Sequence, residues 1–283
     1  MKKYSLWLTA FCTVWLAGCV TSGYNKGQFN LYSIEEEKKL GNQVATEFLN
    51  EYGKKGQVYN DPQTNAYINR LGQSLVQFGP EKQFTYKFYV LKSQEVNAFA
   101  VPGGHIFVFT GLINYCQNEA ELAGVLAHEA GHIISRHGTE QLSAKIAASF
   151  AGNVLIAGLE GRVDPKITEL VVNAVATGAF LAYSRKDETE ADELGARMVF
   201  KAGYTPRGMV NFFDRLSKKQ GKMSDIEVFL SSHPDPGNRE QHIKDLMKQM
   251  GATENLKWDS PEFQQIKTQI SNLQYPPQPK TAK

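Results

Sequence analysis

The chain has 283 residues, 42% of them hydrophobic, so it can bury one sizeable core or one domain with appendages. Its 31 Lys and Arg stand against 29 Asp and Glu, and the numbers become equal once Lys2 and Lys3 leave with the leader described below, which gives no reason to expect a nucleic-acid partner. Of the three cysteines, Cys12 lies in that leader and Cys19 at its end, so Cys116 is left alone, no disulfide can form within the mature chain, and a small buried residue is its expected role.

In chain order, MKKYSLWLTAFCTVWLAGC joins two lysines to an apolar run that is short for a bilayer span and ends in small residues. Residues 1–18 read as a signal peptide. Leu16-Ala17-Gly18-Cys19 resembles a bacterial lipobox, in which the cysteine is acylated and becomes the N-terminus; a plain cleaved signal and an uncleaved anchor are the alternatives. Val20 stands where inner-membrane retention would call for Asp, so the expected location is the periplasmic face of the outer membrane. Residues 19–30 are polar and glycine-containing, a lipidated tether.

Ser33-Ile34-Glu35-Glu36 has the form of a helix cap, and the helix is expected to run to about Leu49. Asp61-Pro62 begins a second helix, with Tyr67, Ile68, Leu71, Leu75 and Phe78 at helical spacing. Phe84, Tyr86, Phe88 and Val90 alternate as in a strand, and His105–Thr110 reads as another between Pro102-Gly103-Gly104 and Gly111. Glu119–Ser135 is a buried helix. The apolar stretches Ile146–Leu159 and Ile167–Ala182 fall short of a membrane span and are punctuated by Glu160, Arg162, Asp164, Lys166 and Glu169. Further helices are expected over Asp187–Ala202, from Thr205-Pro206 through Ser217, and from Asn238 to Met250 after a break at Pro234, Pro236 and Gly237. The domain is drawn from Leu31 to Gln265, and residues 266–283, ending YPPQPKTAK, as a tail without fixed structure.

The chemistry concentrates in VLAHEAGHIISRH, residues 125–137. His128 and His132 are one helical turn apart, so their side chains differ by roughly 40° around the axis and can grip one metal ion. Glu129 is placed to reach a water on that metal without being a ligand. A catalytic zinc needs a third protein ligand. In YSRKDETEADELG, residues 183–195, Glu188 and Asp192 share a helical face beside Ala191 and Gly195, which admit a close helix. Glu188 is the expected third ligand and Asp192 a hydrogen-bond partner for a ligand imidazole, whereas Glu190, about 200° from Glu188, should face solvent. His137 falls about 140° from His132 and is assigned a structural or capping role. His105 is expected at the surface or in packing, and His242 in solvent.

H-E-x-x-H at 128–132 followed by S-R-x-x-E-x-x-A-D-x-x-G at 184–195 resembles metallopeptidase family forty-eight. Asn97–Gly111 resembles the segment before its metal helix, and Ser232-His233-Pro234 a downstream His-Pro element. The resemblance implies one Zn2+ per chain held by His128, His132 and Glu188, with Glu129 as base, and supports Glu188 over Glu190. It implies a zincin-like (gluzincin) α+β domain, mostly helical with a small antiparallel sheet. Lacking hydrophobic spans and a helical-repeat domain, the sequence is closest in outline to the compact periplasmic lipoprotein proteases of that family. His233, in a proline-braced loop, is assigned either to stabilising an oxyanion or to the open zinc position at rest.

The expected reaction is hydrolysis of peptide bonds in unfolded or misassembled envelope proteins. The alternatives are an assembly factor for outer-membrane proteins with latent proteolysis, in contact with the assembly machinery, a structural lipoprotein, and a hydrolase of another bond. His105–Thr110 is expected to be a sheet edge that pairs with substrate; an interior strand is the alternative.

Overall fold

The structure, a computed structural model, describes residues 27–150, 171, 183–218, 223–234, 238–251 and 255–275. The signal peptide, Cys19, most of the tether, most of the two apolar stretches and the last eight residues lie outside them. Among the described residues no helix is long and apolar enough to cross a membrane.

Helices begin where side chains can satisfy the first backbone amides. Ser33 accepts from the Glu36 amide at 3.2 Å while the Glu36 carboxylate accepts from the Ser33 amide at 2.9 Å, opening α1 (Ile34–Lys54). Asp61 accepts from the Thr64 amide at 2.7 Å ahead of Pro62, opening α2 (Pro62–Val76). Three strands follow, β1 (Lys87–Leu91), β2 (Ala98–Val101) and β3 (His105–Phe109), and then α3 (Thr110–Tyr115) and α4 (Glu119–Ile134). Beyond α5 (His137–Phe150) come α6 (Arg185–Lys201), α7 (Arg207–Ser217), α8 (Met223–Ser232), α9 (Arg239–Met250) and α10 (Pro261–Ser271).

The strand order is β1-β3-β2, with β1 parallel and β2 antiparallel to β3, so the sheet is mixed and not antiparallel as expected. Strand β2 went unanticipated because its four residues are all buried and give no alternation to read. It turns into β3 through Pro102-Gly103-Gly104, where both glycines have positive φ, 82° and 111°, and a Cβ on Gly104 would stand 2.4 Å from the Thr85 carbonyl. Strand β3 is therefore central, paired on both sides, and not the free edge foreseen for His105–Thr110. Its residues alternate between two buried faces. Ile106 and Val108 join the core of α2 and α4, whereas Phe107 and Phe109 join Phe48, Leu40 and Val44 of α1.

Helix α4 is buried along its whole length, with α2, α6, α7 and β2 against it. Helix α10 runs through the boundary drawn at Gln265: Ile266 and Ile270 are fully buried and Ser260 caps its start, so the packed unit continues at least to Ser271. The signal for that helix, Ser260-Pro261 followed by Phe263, Ile266 and Ile270 at helical spacing, was in the sequence.

His105 is 3% exposed, with the Tyr89 hydroxyl 3.1 Å from Nδ1 and the Asn42 side-chain oxygen 3.2 Å from Nε2, a partner set that suits the neutral ring. Burial, aided by Lys87, pushes its pKa down to about 4. The unfolded chain then binds the proton more readily, so this contribution is complete above pH 6.5 and lost as pH falls towards 4. It should amount to about 3 kcal/mol. Denaturant unfolding of wild type beside His105→Gln at pH 7 and pH 4 measures it: wild type should lose about 3 kcal/mol more than the variant over that interval.

Candidate metal centre

Helices α4 and α6 cross so closely that two side chains at the contact must be hydrogen atoms. A Cβ on Gly131 would lie 2.9 Å from the Ala191 carbonyl oxygen, and one on Gly195 3.1 Å from the His128 amide nitrogen. This approach places Glu188 of α6 against His128 and His132 of α4. All three are buried, with His132 1% exposed and the others wholly covered.

His233, just past the end of α8, completes a group of four whose ligand atoms lie within 4.8 Å of one another. His128 Nε2 is 3.0 Å from His132 Nε2 and 3.3 Å from His233 Nδ1. Glu188 Oε1 is 3.1 Å from His233 Nδ1 and 3.4 Å from His132 Nε2. Four donors bound tetrahedrally at about 2.0–2.1 Å stand about 3.3 Å from one another, so these separations fit zinc. The hydrogen bonding agrees. Asp192 Oδ1 lies 2.9 Å from His128 Nδ1 and must accept a proton there, so the neutral His128 ring turns a lone pair from Nε2 onto the ring nitrogen of His132. A cation held there would take up that lone pair together with those of the neighbouring donors.

Charges near the cluster are arranged to keep the carboxylates ionised. Burial would raise the pKa of Glu188, but His233 and Arg239 outweigh it and hold the group well below the usual range. Asp192 is likewise raised by burial and more than offset by Arg239, which grips it with Nε and Nη2 at 2.7 Å each. Arg239 also reaches Glu188 Oε2 with Nη1 at 3.0 Å and lies 3.8 Å over the Phe213 ring. Glu129 is different. Burial raises its pKa to about 7 against the lowering effect of His233, whose Nε2 is 3.5 Å from Oε1. A cation at the cluster would counter that rise.

The structure brings His128, His132, Glu188, His233, Glu129 and Asp192 together. Two further groups, Arg239 and Tyr183, escaped the sequence analysis, and His137 and Glu190 pack more closely on the cluster than it placed them. Arg239 begins α9, where the helix dipole disfavours a cation, and that misplacement was a signal for carboxylates nearby. Tyr183, one residue before the cap of α6, stacks on His132 with ring centroids 3.8 Å apart. His137 places Nδ1 2.9 Å from His132 Nδ1, and Glu190, expected in solvent, is half-buried, accepts from the Ser135 hydroxyl at 3.1 Å and lies 3.5 Å from His137 Nε2. The error was to continue α4 as a straight helix. It ends at Ile134, and Arg136 turns the chain with φ 61°, folding His137 back over His132.

The fit of Asp192 to His128 gives a direct expectation. Asp192→Asn should weaken zinc binding by about 10–100-fold while leaving one zinc per chain at saturation, as measured by chelator competition.

A family model for Peptidase family M48 matches residues 62–247. The chain is 29% identical over 223 residues to mitochondrial metalloendopeptidase OMA1 of Schizosaccharomyces pombe, covering 79% of this chain and 64% of that protein. It is 33% identical over 191 residues to a putative beta-barrel assembly-enhancing protease of Vibrio cholerae, covering 64% and 39%. To metalloprotease YcaL of Escherichia coli it is 30% identical over 230 residues, covering 80% and 85%. The chain thus spans less than two thirds of the length of the first two relatives. With two thirds of its residues inside the family match, the chain belongs to peptidase family M48.

Proposed function

We propose that the protein is a zinc-dependent endopeptidase, and the observation that carries this is the convergence of His128, His132, Glu188 and His233, whose ligand atoms lie within 4.8 Å of one another, with Glu129 beside them. When bound, zinc would polarise the scissile carbonyl and acidify a water in its coordination shell. Glu129, beside the cluster, would accept a proton from the attacking water and pass it to the leaving amine. Asp192 keeps the His128 ring oriented, and Arg239 keeps Asp192 and Glu188 ionised.

In this reading His233 holds the fourth corner at rest, which its Nδ1 supports by lying 3.3 Å from His128 Nε2 and 3.1 Å from Glu188 Oε1. It would have to move for substrate and water to reach the cluster, since all four side chains are at most 1% exposed. That burial supports a second reading, in which the protein acts mainly in envelope-protein assembly and its proteolysis is latent. An extended peptide fits β2 better than β3, since β2 pairs on one side only among the described residues and its Ala100 amide faces Glu129. Such strand addition is open to unfolded or misassembled chains. The names of the assembly-enhancing relatives support envelope proteins as substrates and the outer-membrane assembly machinery as a partner, while the Leu16–Cys19 motif supports lipid on Cys19 and a place at the periplasmic face of the outer membrane.

Metal content and cleavage of an unfolded protein, measured together, test this reading. His128→Ala, His132→Ala and Glu188→Ala should each lose zinc, whereas Glu129→Gln should hold it and lose turnover. Zinc retained with wild-type turnover in Glu129→Gln would remove the proposed base. His233→Ala should bind zinc more weakly yet cleave at least as fast as wild type. A fall of about 10²–10³ in kcat with unchanged zinc affinity would instead make His233 an oxyanion donor.

A further inference from the structure

We infer that His137 is a positioning residue for the metal centre, forming with Glu190 a second-layer relay that fixes which nitrogen of His132 faces the metal. The inference rests on the reading above that His132 binds through Nε2.

A neutral imidazole that gives its Nε2 lone pair to a metal carries its proton on Nδ1, and a buried N–H needs an acceptor. His132 is 1% exposed, so solvent does not supply one. The acceptor it meets is His137 Nδ1, at 2.9 Å. His137 is itself 1% exposed, and once its Nδ1 accepts, its own proton must sit on Nε2. That nitrogen has no hydrogen-bond partner but points at two carboxylates, with Glu190 Oε2 at 3.5 Å and Asp187 Oδ1 at 3.8 Å. The order is carboxylate, His137, His132, metal, with each proton directed away from the metal. It mirrors the Asp192 contact on His128, but with an imidazole between the ligand and the acidic group.

The chain invests in this corner. Arg136 sits at φ 61°, uncommon for a side-chain-bearing residue, and is held there by Glu37 Oε2 at 2.7 Å from Nε and by the Tyr32 carbonyl at Nη2. Without that turn His137 would continue around α4, away from His132. On the far side of the ring, Ser135 donates to Glu190 Oε1 at 3.1 Å and so leaves Oε2 facing His137. Tyr183 stacks on the face of the His132 ring, with centroids 3.8 Å apart, and limits its rotation.

The test measures zinc affinity of the full chain by chelator competition in wild type, His137→Phe, His137→Gln, Glu190→Gln and His132→Ala, with histidine ring N–H resonances of the zinc-loaded protein followed by NMR. His137→Phe keeps a ring but no acceptor and should weaken zinc binding by about 10–100-fold. His137→Gln restores an acceptor oxygen and should recover most of the affinity, which a merely space-filling role would not predict. Glu190→Gln should show a smaller loss of the same sign. Wild type should have a slowly exchanging proton on His132 Nδ1 that is lost in His137→Phe. If His137→Phe fails to fold, Glu190→Gln and His137→Gln decide: unchanged affinity in the first or a loss of about 100-fold in the second overturns the relay. Wild-type affinity in His137→Phe, with zinc still lost in His132→Ala, also overturns it and leaves the ligand assignment standing. Zinc retained by His132→Ala would overturn the ligand assignment itself.

Discussion

The contact between α4 and α6 sets the rest of the site. Two helices with ordinary side chains pack with axes about 8–10 Å apart. Gly131 and Gly195 remove the atoms that would otherwise fill this contact, and Ala191 adds only a methyl. The approach brings a carboxylate from one helix to within 3.4 Å of two imidazoles on the other. Larger residues at 131 or 195 would meet backbone, which cannot rotate out of the way. The metal-binding geometry thus follows from a packing constraint in the core, and the sheet and the surrounding helices hold α4 buried on all sides so that the contact cannot slide.

Burying this many ionisable groups imposes a second constraint. Glu188 and Asp192 are fully covered, and an unpaired buried carboxylate costs several kcal/mol. Arg239 addresses both at once with three short contacts, and its own desolvation is softened by the Phe213 face. One guanidinium against two carboxylates still leaves an excess negative charge beside converging ring nitrogens. A divalent cation held by His128, His132, Glu188 and His233 would neutralise what Arg239 does not. Function and stability are therefore coupled here: the ion that would serve the reaction also relieves the electrostatic cost of the pocket that holds it.

Much of this was legible in the sequence because it is local. Helix caps at Ser33 and Asp61 are read from a few adjacent residues, and the one-turn spacings of His128 with His132 and of Glu188 with Asp192 fix shared faces without knowledge of tertiary structure. What escaped was non-local or broke periodicity. The central place of β3 depends on a four-residue partner strand with no alternation, and its parallel pairing with β1 is a topological fact that no single segment carries. His137 and Glu190 were misplaced because one residue, Arg136, adopts a left-handed conformation held by a partner about a hundred residues earlier. Arg239 was missed because its carboxylate partners lie on another helix, although its position at a helix start was a usable clue.

The central claim is that four side chains, three imidazoles and one carboxylate, close around a single zinc in the resting protein. X-ray absorption at the zinc edge of the purified protein, with metal stoichiometry, tests it most directly. The account predicts one zinc per chain with three nitrogen ligands from imidazoles and one carboxylate oxygen, all near 2.0–2.1 Å. A shell with only two imidazoles and two or more waters, or a chain that purifies and refolds without binding zinc, would contradict it.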